Sequence, residues 1–377
     1  MMSPFNLLLL AFAVGSRAAT HQMIVGTFSA SVLHTLEFDD QAQTLQIIAN
    51  TTAPAPSSWI ALNASHDQSR LYGVGVLNDE GGLLIYSIKS PNEIVYTGFV
   101  PAGGDCFGPP DFVVAHPQPP FAVYAAFPTF GSATSGCGAV VSVDENGQLD
   151  QAIQNYTYLL GSAVQEMELS SDSKYLYSAD DSGNSIERHA VNSTTGEVSQ
   201  MWNMSVPVDG ADPCHIAMHF GGQYMYVVME GTSQIIQYLL DDIGIPTMDN
   251  TTFSLLHFTD DQSQYWADEV ALSATNSYLL ATSRARDPAS NGTISVFTLD
   301  VYGKIDKQDF LLSTTTSGGL SNSVAPSPLS DRIVALVDNT INFVEIWELS
   351  SDDSTAQPIA RVDVPSEGCC ANAVWLN

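Results

Sequence analysis

The stretch Met167-Glu-Leu-Ser-Ser-Asp-Ser-Lys-Tyr-Leu-Tyr177, continued by Ile186-Glu-Arg-His-Ala-Val191 and the turn Thr195-Gly196, decides the fold. It reads as an apolar strand, a polar turn, and a second strand ending on an aromatic or aliphatic pair. An alternating strand follows and closes on a hairpin turn. Working outward, the first half recurs as Trp59-Ile-Ala-Leu before Tyr72, and as Phe112-Val-Val-Ala before Val123-Tyr124. Towards the C-terminus it recurs as His215-Ile-Ala-Met before Tyr224-Met-Tyr226, Glu269-Val-Ala-Leu before Tyr278-Leu-Leu280, and Ser323-Val-Ala before Ile333-Val334.

From Tyr72 through Tyr124, Tyr177, Tyr226 and Leu280 to Val334 the steps are 52, 53, 49, 54 and 54 residues. The alternating half recurs in register with them, as Leu84-Ile-Tyr-Ser-Ile88, Val140-Val-Ser-Val143, Ile235-Ile-Gln-Tyr-Leu239, Ile294-Ser-Val-Phe-Thr-Leu299 and Val344-Glu-Ile-Trp-Glu-Leu349. A seventh copy, Leu36-Glu-Phe38 before Asp39-Asp40, lacks its innermost strand. The opposite end supplies one: Ala371-Asn-Ala-Val-Trp375 reads as that strand and Met23-Ile-Val-Gly-Thr-Phe28 as its neighbour. A period near 50 with four strands per unit predicts an all-β, seven-bladed β-propeller, closed by pairing the two terminal strands. Closure also removes two sheet edges that would otherwise template aggregation.

The expected organisation is a signal peptide over 1–19 and one propeller domain over 20–377. Phe5 to Val14 is a short apolar run followed by Ser16-Arg17-Ala18, small residues of the kind a signal peptidase reads. Asn50, Asn63, Asn155, Asn192, Asn203, Asn250 and Asn291 all sit in Asn-x-Ser/Thr, so a secreted, extracellular glycoprotein is expected. Cys106 and Cys137 flank a Gly/Pro-rich stretch and form the expected disulfide pair; Cys369 and Cys370 either bridge each other or stay thiols. No cysteine spacing matches a zinc site. A formal charge of −30 excludes a nucleic-acid or anionic-membrane surface, which needs clustered cations. No apolar run approaches the roughly 20 residues of a membrane span, and no feature sets an oligomeric state.

Several segments are more specific than the repeat: Met23-Ile-Val-Gly-Thr-Phe28, Lys89-Ser-Pro-Asn-Glu-Ile-Val95, Pro120-Phe-Ala-Val-Tyr124, Tyr175-Leu-Tyr-Ser-Ala-Asp180, Ala217-Met-His219, Thr282-Ser-Arg-Ala285 and Thr316-Ser-Gly-Gly319. In these the chain resembles the fungal carboxy-cis,cis-muconate cyclases, members of the seven-bladed lactonase propellers that include 6-phosphogluconolactonase. The resemblance runs almost from Gln22 to Asn377. It implies an isomerase of the intramolecular-lyase type that closes a muconate to a γ-lactone with no metal or organic cofactor, using a His, two Arg and a Glu at the channel mouth. Such a reaction needs cations to hold carboxylates and a group to deliver a proton.

Carried over by position, the Glu is Glu230 and one Arg is Arg284. The family His falls on Gln165, the second Arg on Cys214, a further His on Leu320 and a further Arg on Trp266. Arg286 shares the loop of Arg284. His215 is either a replacement proton-transferring group or a histidine satisfied by backbone in the channel wall; strand alternation turns it away from Cys214. The candidate catalytic residues are therefore Glu230, Arg284 and His215, with Gln165, Cys214, Trp266 and Arg286 as substrate-binding residues. Three readings stand: a cyclase-like enzyme with an altered site forming or opening a lactone on a small carboxylate, a secreted binding propeller without catalysis, and a sugar-lactone hydrolase.

Overall fold

In the computed structural model the described residues are 19–63, 68–104, 106, 108–130, 134–365 and 368–376, with the side chains of Gln200, Met201 and Asn250 excepted. The segment 1–18, which carries all but the last residue of the expected signal peptide, lies outside them. Seven four-stranded antiparallel sheets form the ring. Blade 1 joins strand Ala373–Leu376 to three strands from 20–52; blades 2 to 7 cover 60–101, 112–160, 164–205, 213–254, 265–313 and 324–363. The ring closes as the repeat predicts, Met23 pairing with Trp375 and Ile24 with Val374. One short 3-10 turn, Gln262–Gln264, precedes blade 6. No helix among the described residues is long and apolar enough to cross a membrane.

Each sheet is buried on both faces, which is why strands such as Val123–Phe127 read as unbroken apolar runs. Met23 and Ile24 are adjacent and both fully buried, yet Met23 packs towards blade 7 and Ile24 towards blade 2. Seven apolar clusters fill the seven blade-to-blade interfaces. Burying one such side chain contributes about 1.5–3 kcal/mol.

A polar latch explains the tyrosine period. Tyr72, Tyr124 and Tyr177 donate through their hydroxyls to the carbonyls of Gly147, Gly196 and Gly244, at 2.8, 2.9 and 2.7 Å. Tyr226 does the same to Gly303. Each acceptor is the turn glycine of the next blade, at positive φ (72° to 97°), where a side chain would be strained. Leu280 and Ala335 occupy this position in blades 6 and 7, so apolar packing replaces the latch there, while Val334, the last residue of the sequence period, faces back towards blade 6.

Cys106 and Cys137 are joined in a disulfide with Cα atoms 5.5 Å apart, and Cys369 is joined to Cys370. Of the sequons, Asn50, Asn192 and Asn291 are exposed, and Asn155 and Asn203 half-buried. Asn63 is only 5% exposed and its Oδ1 accepts the Arg70 N–H, a poor position for a glycan. The side chain of Asn250 lies outside the described residues.

Candidate functional site

The innermost strands of the seven blades surround a channel, and their leading ends wall a cavity of about 110 Å³. That is room for roughly four waters at liquid density. Every blade contributes: Phe28 and Ala371, Ser58 and Trp59, Asp111, Gln165, Cys214 and His215, Asp268, Glu269 and Arg284, and Leu320 and Ser321. A larger hollow of about 360 Å³ between blades 2 and 3 is lined by strand ends and the turn around Gly147. Charged groups from distant parts of the chain converge on the smaller cavity, which makes it the candidate site.

A local irregularity builds it. The inner strands of blades 4, 5 and 6 each carry a register shift at the same place: between Val164 and Glu166, Pro213 and His215, and Ala267 and Val270. A bulge puts two residues against one, so adjacent side chains no longer face opposite ways. Cys214 and His215 therefore both reach the cavity, contrary to the expectation from strict alternation, as do Asp268 and Glu269. They still form no Cys–His pair. The Cys214 thiol bonds Gln165 Oε1 at 3.3 Å, whereas His215 Nδ1 lies 3.0 Å from Glu166 Oε2.

The carboxylates also have a structural task. An inner strand faces the channel with unpaired backbone N–H groups, which must find acceptors. Glu166 accepts from Ile216 N at 2.7 Å and Glu269 from Val324 N at 3.0 Å. In blade 1 the Asn372 amide serves Ile60 in the same way, at 3.0 Å.

Arg284, at the end of strand Tyr278–Ala285, is the hub of the polar side. Its Nη1 donates to Leu320 O at 2.9 Å, Nη2 lies 3.5 Å from Glu230 Oε1, and Nε lies 3.3 Å from Asp268 Oδ1. Glu230 also accepts from Gln165 Nε2 at 3.3 Å, so the two family-matched residues and Gln165 form one chain of contacts. Glu230 itself does not line the cavity; it positions Arg284 and Gln165. Trp266 and Arg286, expected as substrate contacts, also lie outside the cavity wall. Pairing across the blade 6 hairpin sets Trp266 opposite Arg284, and the indole takes both guanidinium groups on its ring, Arg284 at 5.0 Å and Arg286 at 3.9 Å. Both therefore support the loop.

The electrostatics sort these groups into two kinds. Burial pulls His215 towards the neutral form, but the charge of Glu166, its hydrogen bond, and the charges of Glu269 and Asp268 outweigh it and push the imidazolium up to about 9. Burial works in the same sense on Arg284, and Asp268 and Glu230 more than offset it. Burial raises Glu269 to about 8, against the opposing pull of His215 and Ser323. Asp111 is also raised, by burial first and by Glu230, although His215 and Arg284 oppose the shift. The cavity thus holds two cations beside two carboxyls, Asp111 and Glu269, that burial biases towards the protonated form. Burial raises the Cys214 thiol well above its ordinary range, which disfavours the reactive thiolate. Among the described residues no group of three or more His, Cys, Asp or Glu side chains has metal-binding geometry.

Sequence reasoning missed Asp111, Trp59, Asp268, Glu269 and Glu166. The available signal was positional: Gln165-Glu166, Cys214-His215 and Asp268-Glu269 each stand immediately before the apolar run of an inner strand.

A seven-bladed propeller with a charged cavity at one mouth of its channel is the class that fold and site define. The family profile described as "Lactonase, 7-bladed beta-propeller" matches residues 22–370, and the chain belongs to that family. It is 34% identical over 376 residues to the carboxy-cis,cis-muconate cyclase of Neurospora crassa, covering 95% of this chain and 99% of that protein. It is 26% identical to muconate cycloisomerase 1 of Cutaneotrichosporon cutaneum, over 88% of this chain and 91% of that one. Among solved structures, the periplasmic gluconolactonase of Pseudomonas aeruginosa matches with a TM-score of 0.76 at 16% identity, covering 95% and 99% of the two chains, a likeness of fold. Together these findings support a lactonase-type enzyme.

Proposed function

We propose that the chain is a cofactor-free, muconate-cyclase-like enzyme that closes or opens a γ-lactone at the channel mouth, on a substrate less anionic than a tricarboxylate. One observation carries the reading: Arg284 and His215, both cationic, share a cavity with Asp111 and Glu269, two carboxyls that burial biases towards the protonated form. In the closing direction a substrate carboxylate oxygen bonds to the γ-carbon. The alkene electron pair moves to the carbon α to a second acyl group, and that carbon takes a proton. Arg284 and His215 hold the anionic oxygens, and an electrostatic role of this kind is the largest single contribution in most such sites. Asp111, whose carboxyl has no hydrogen-bond partner among the described residues, gives the proton and recovers it from water. In the opening direction its carboxylate takes the α-proton back. Glu230 keeps Arg284 aimed at the cavity. The disulfide Cys106–Cys137 supports the further proposal that the chain works outside the cell, where such bonds persist.

The test is conversion of muconates and their γ-lactones, followed by diene absorbance, for wild type, Arg284→Ala and Asp111→Asn. Arg284→Ala lowers kcat/KM by about 10²–10³, and Asp111→Asn lowers kcat with little change in KM. Wild type that turns over none of these compounds, or an Arg284→Ala variant as active as wild type, contradicts the reading. Binding without turnover would favour the non-catalytic propeller.

A further inference from the structure

The cavity has two unlike sides. Blades 3 to 6 supply Asp111, Gln165, Cys214, His215, Asp268, Glu269 and Arg284, all polar or ionisable, whereas blades 1, 2 and 7 supply Phe28, Trp59, Leu320 and Ala371 with the uncharged hydroxyls of Ser58 and Ser321. Trp59 is fixed in place, its ring 4.7 Å from Phe112 and 5.4 Å from the His215 imidazole, centroid to centroid. It forms a flat apolar wall directly beside one of the two cations. Leu320 is 60% exposed at the rim and extends that wall outward.

The cations are already partly matched. His215 has Glu166 at 3.0 Å, and Arg284 has Asp268 at 3.3 Å and Glu230 at 3.5 Å. Three carboxylates thus surround two cations, within a chain of formal charge −30. The guanidinium has five N–H groups; one goes to Glu230 and one to the Leu320 carbonyl, while Nε faces Asp268 as an ion pair without a hydrogen bond. What remains can receive one anionic group. A second carboxylate on the substrate would meet indole, phenyl, leucine and two serine hydroxyls but no cation, where an unpaired charge is costly.

We propose, resting on the lactone reading above, that the substrate class is a monoanion: one carboxylate (or the lactone carbonyl formed from it) against Arg284 and His215, with a neutral conjugated acyl or aryl end against Trp59, Phe28 and Leu320. The neutral acyl group still acidifies the carbon that must be protonated, so lactone closure keeps its electronic requirement without a second charge. Recognition comes from stacking and desolvation on one side and charge pairing on the other.

The probes are cis,cis-muconate and its monomethyl ester, which share a skeleton and differ by one charge. Isothermal titration near pH 7 at low salt gives the monoester at least about tenfold tighter binding to wild type. Trp59→Ala weakens the monoester about tenfold and leaves the diacid within about twofold. Leu320→Arg, at an exposed position where folding is not at stake, reverses the preference by giving the second carboxylate a partner. Diacid binding as tight as the monoester, equal weakening of both by Trp59→Ala in a protein that melts normally, an unchanged preference in Leu320→Arg, or no binding of either compound overturns the inference. The two proposals fail separately. Preferential monoester binding without turnover sinks the enzymatic reading and leaves the substrate class standing; turnover with preference for the diacid does the reverse.

Discussion

Replacing Glu166 with glutamine removes the charge that keeps His215 cationic, and its effect can be worked from the geometry. Glu166 lies 3.0 Å from Nδ1, both side chains are about nine-tenths buried, and the imidazolium persists to about 9. Without that charge burial dominates, opposed only by the weaker pulls of Glu269 and Asp268, and the group returns towards its ordinary value near 6.5. At pH 7.5 His215 then goes from about 97% to roughly 10% protonated, and the cavity loses one of its two cations. The glutamine carbonyl still accepts the Ile216 N–H, so the strand edge stays satisfied. Stability carries the same signature. Because folding raises this group, its contribution is fully present below about pH 6.5 and is lost as pH rises through about 9, on the order of 3 kcal/mol in all. NMR titration of the His215 ring, assigned by difference from His215→Gln, reads the shift, and urea unfolding between pH 6 and 9.5 reads the linkage. A ring that still titrates near 9 in Glu166→Gln, or near 6.5 in wild type, refutes the reasoning.

Two further outcomes follow from the fold. Tyr177→Phe leaves the buried Gly244 carbonyl without its 2.7 Å donor and lowers stability by about 1–3 kcal/mol, seen as a melting temperature several degrees lower. Glu187 is fully buried and raised to about 7 by burial and then by Asp180, so its contribution is present below about 4.5 and lost as pH rises through 7. Glu187→Gln therefore flattens the stability profile between pH 4.5 and 8 by on the order of 3 kcal/mol, measured by urea unfolding at both ends.

The ring was legible because propeller packing repeats its demands. Tyr72, Tyr124, Tyr177 and Tyr226 recur since each must fill an interface and reach the next blade's turn, and Met23-Ile24 reads as a strand buried on both faces. Arg284, Gln165, His215 and Cys214, singled out through resemblance and position, all line the channel-mouth cavity. The bulges were not legible, because a one-residue register shift leaves no mark in composition, and strict alternation turned Cys214 and His215 to opposite faces. Asp111 was missed for a related reason: it stands just ahead of strand Phe112–Ala115, outside the matched positions, and only ring closure brings it near Arg284. Trp266 and Arg286, also singled out, stack on each other outside the cavity wall.

The most direct test of the central claim is a crystal structure of the protein soaked with an unsaturated γ-lactone bearing a neutral acyl side chain. The account predicts the lactone in the channel-mouth cavity, its carbonyl within hydrogen-bonding distance of Arg284 or His215 and its side chain over Trp59. A lactone seated instead in the hollow between blades 2 and 3, or in the cavity with no contact to either cation, would contradict it.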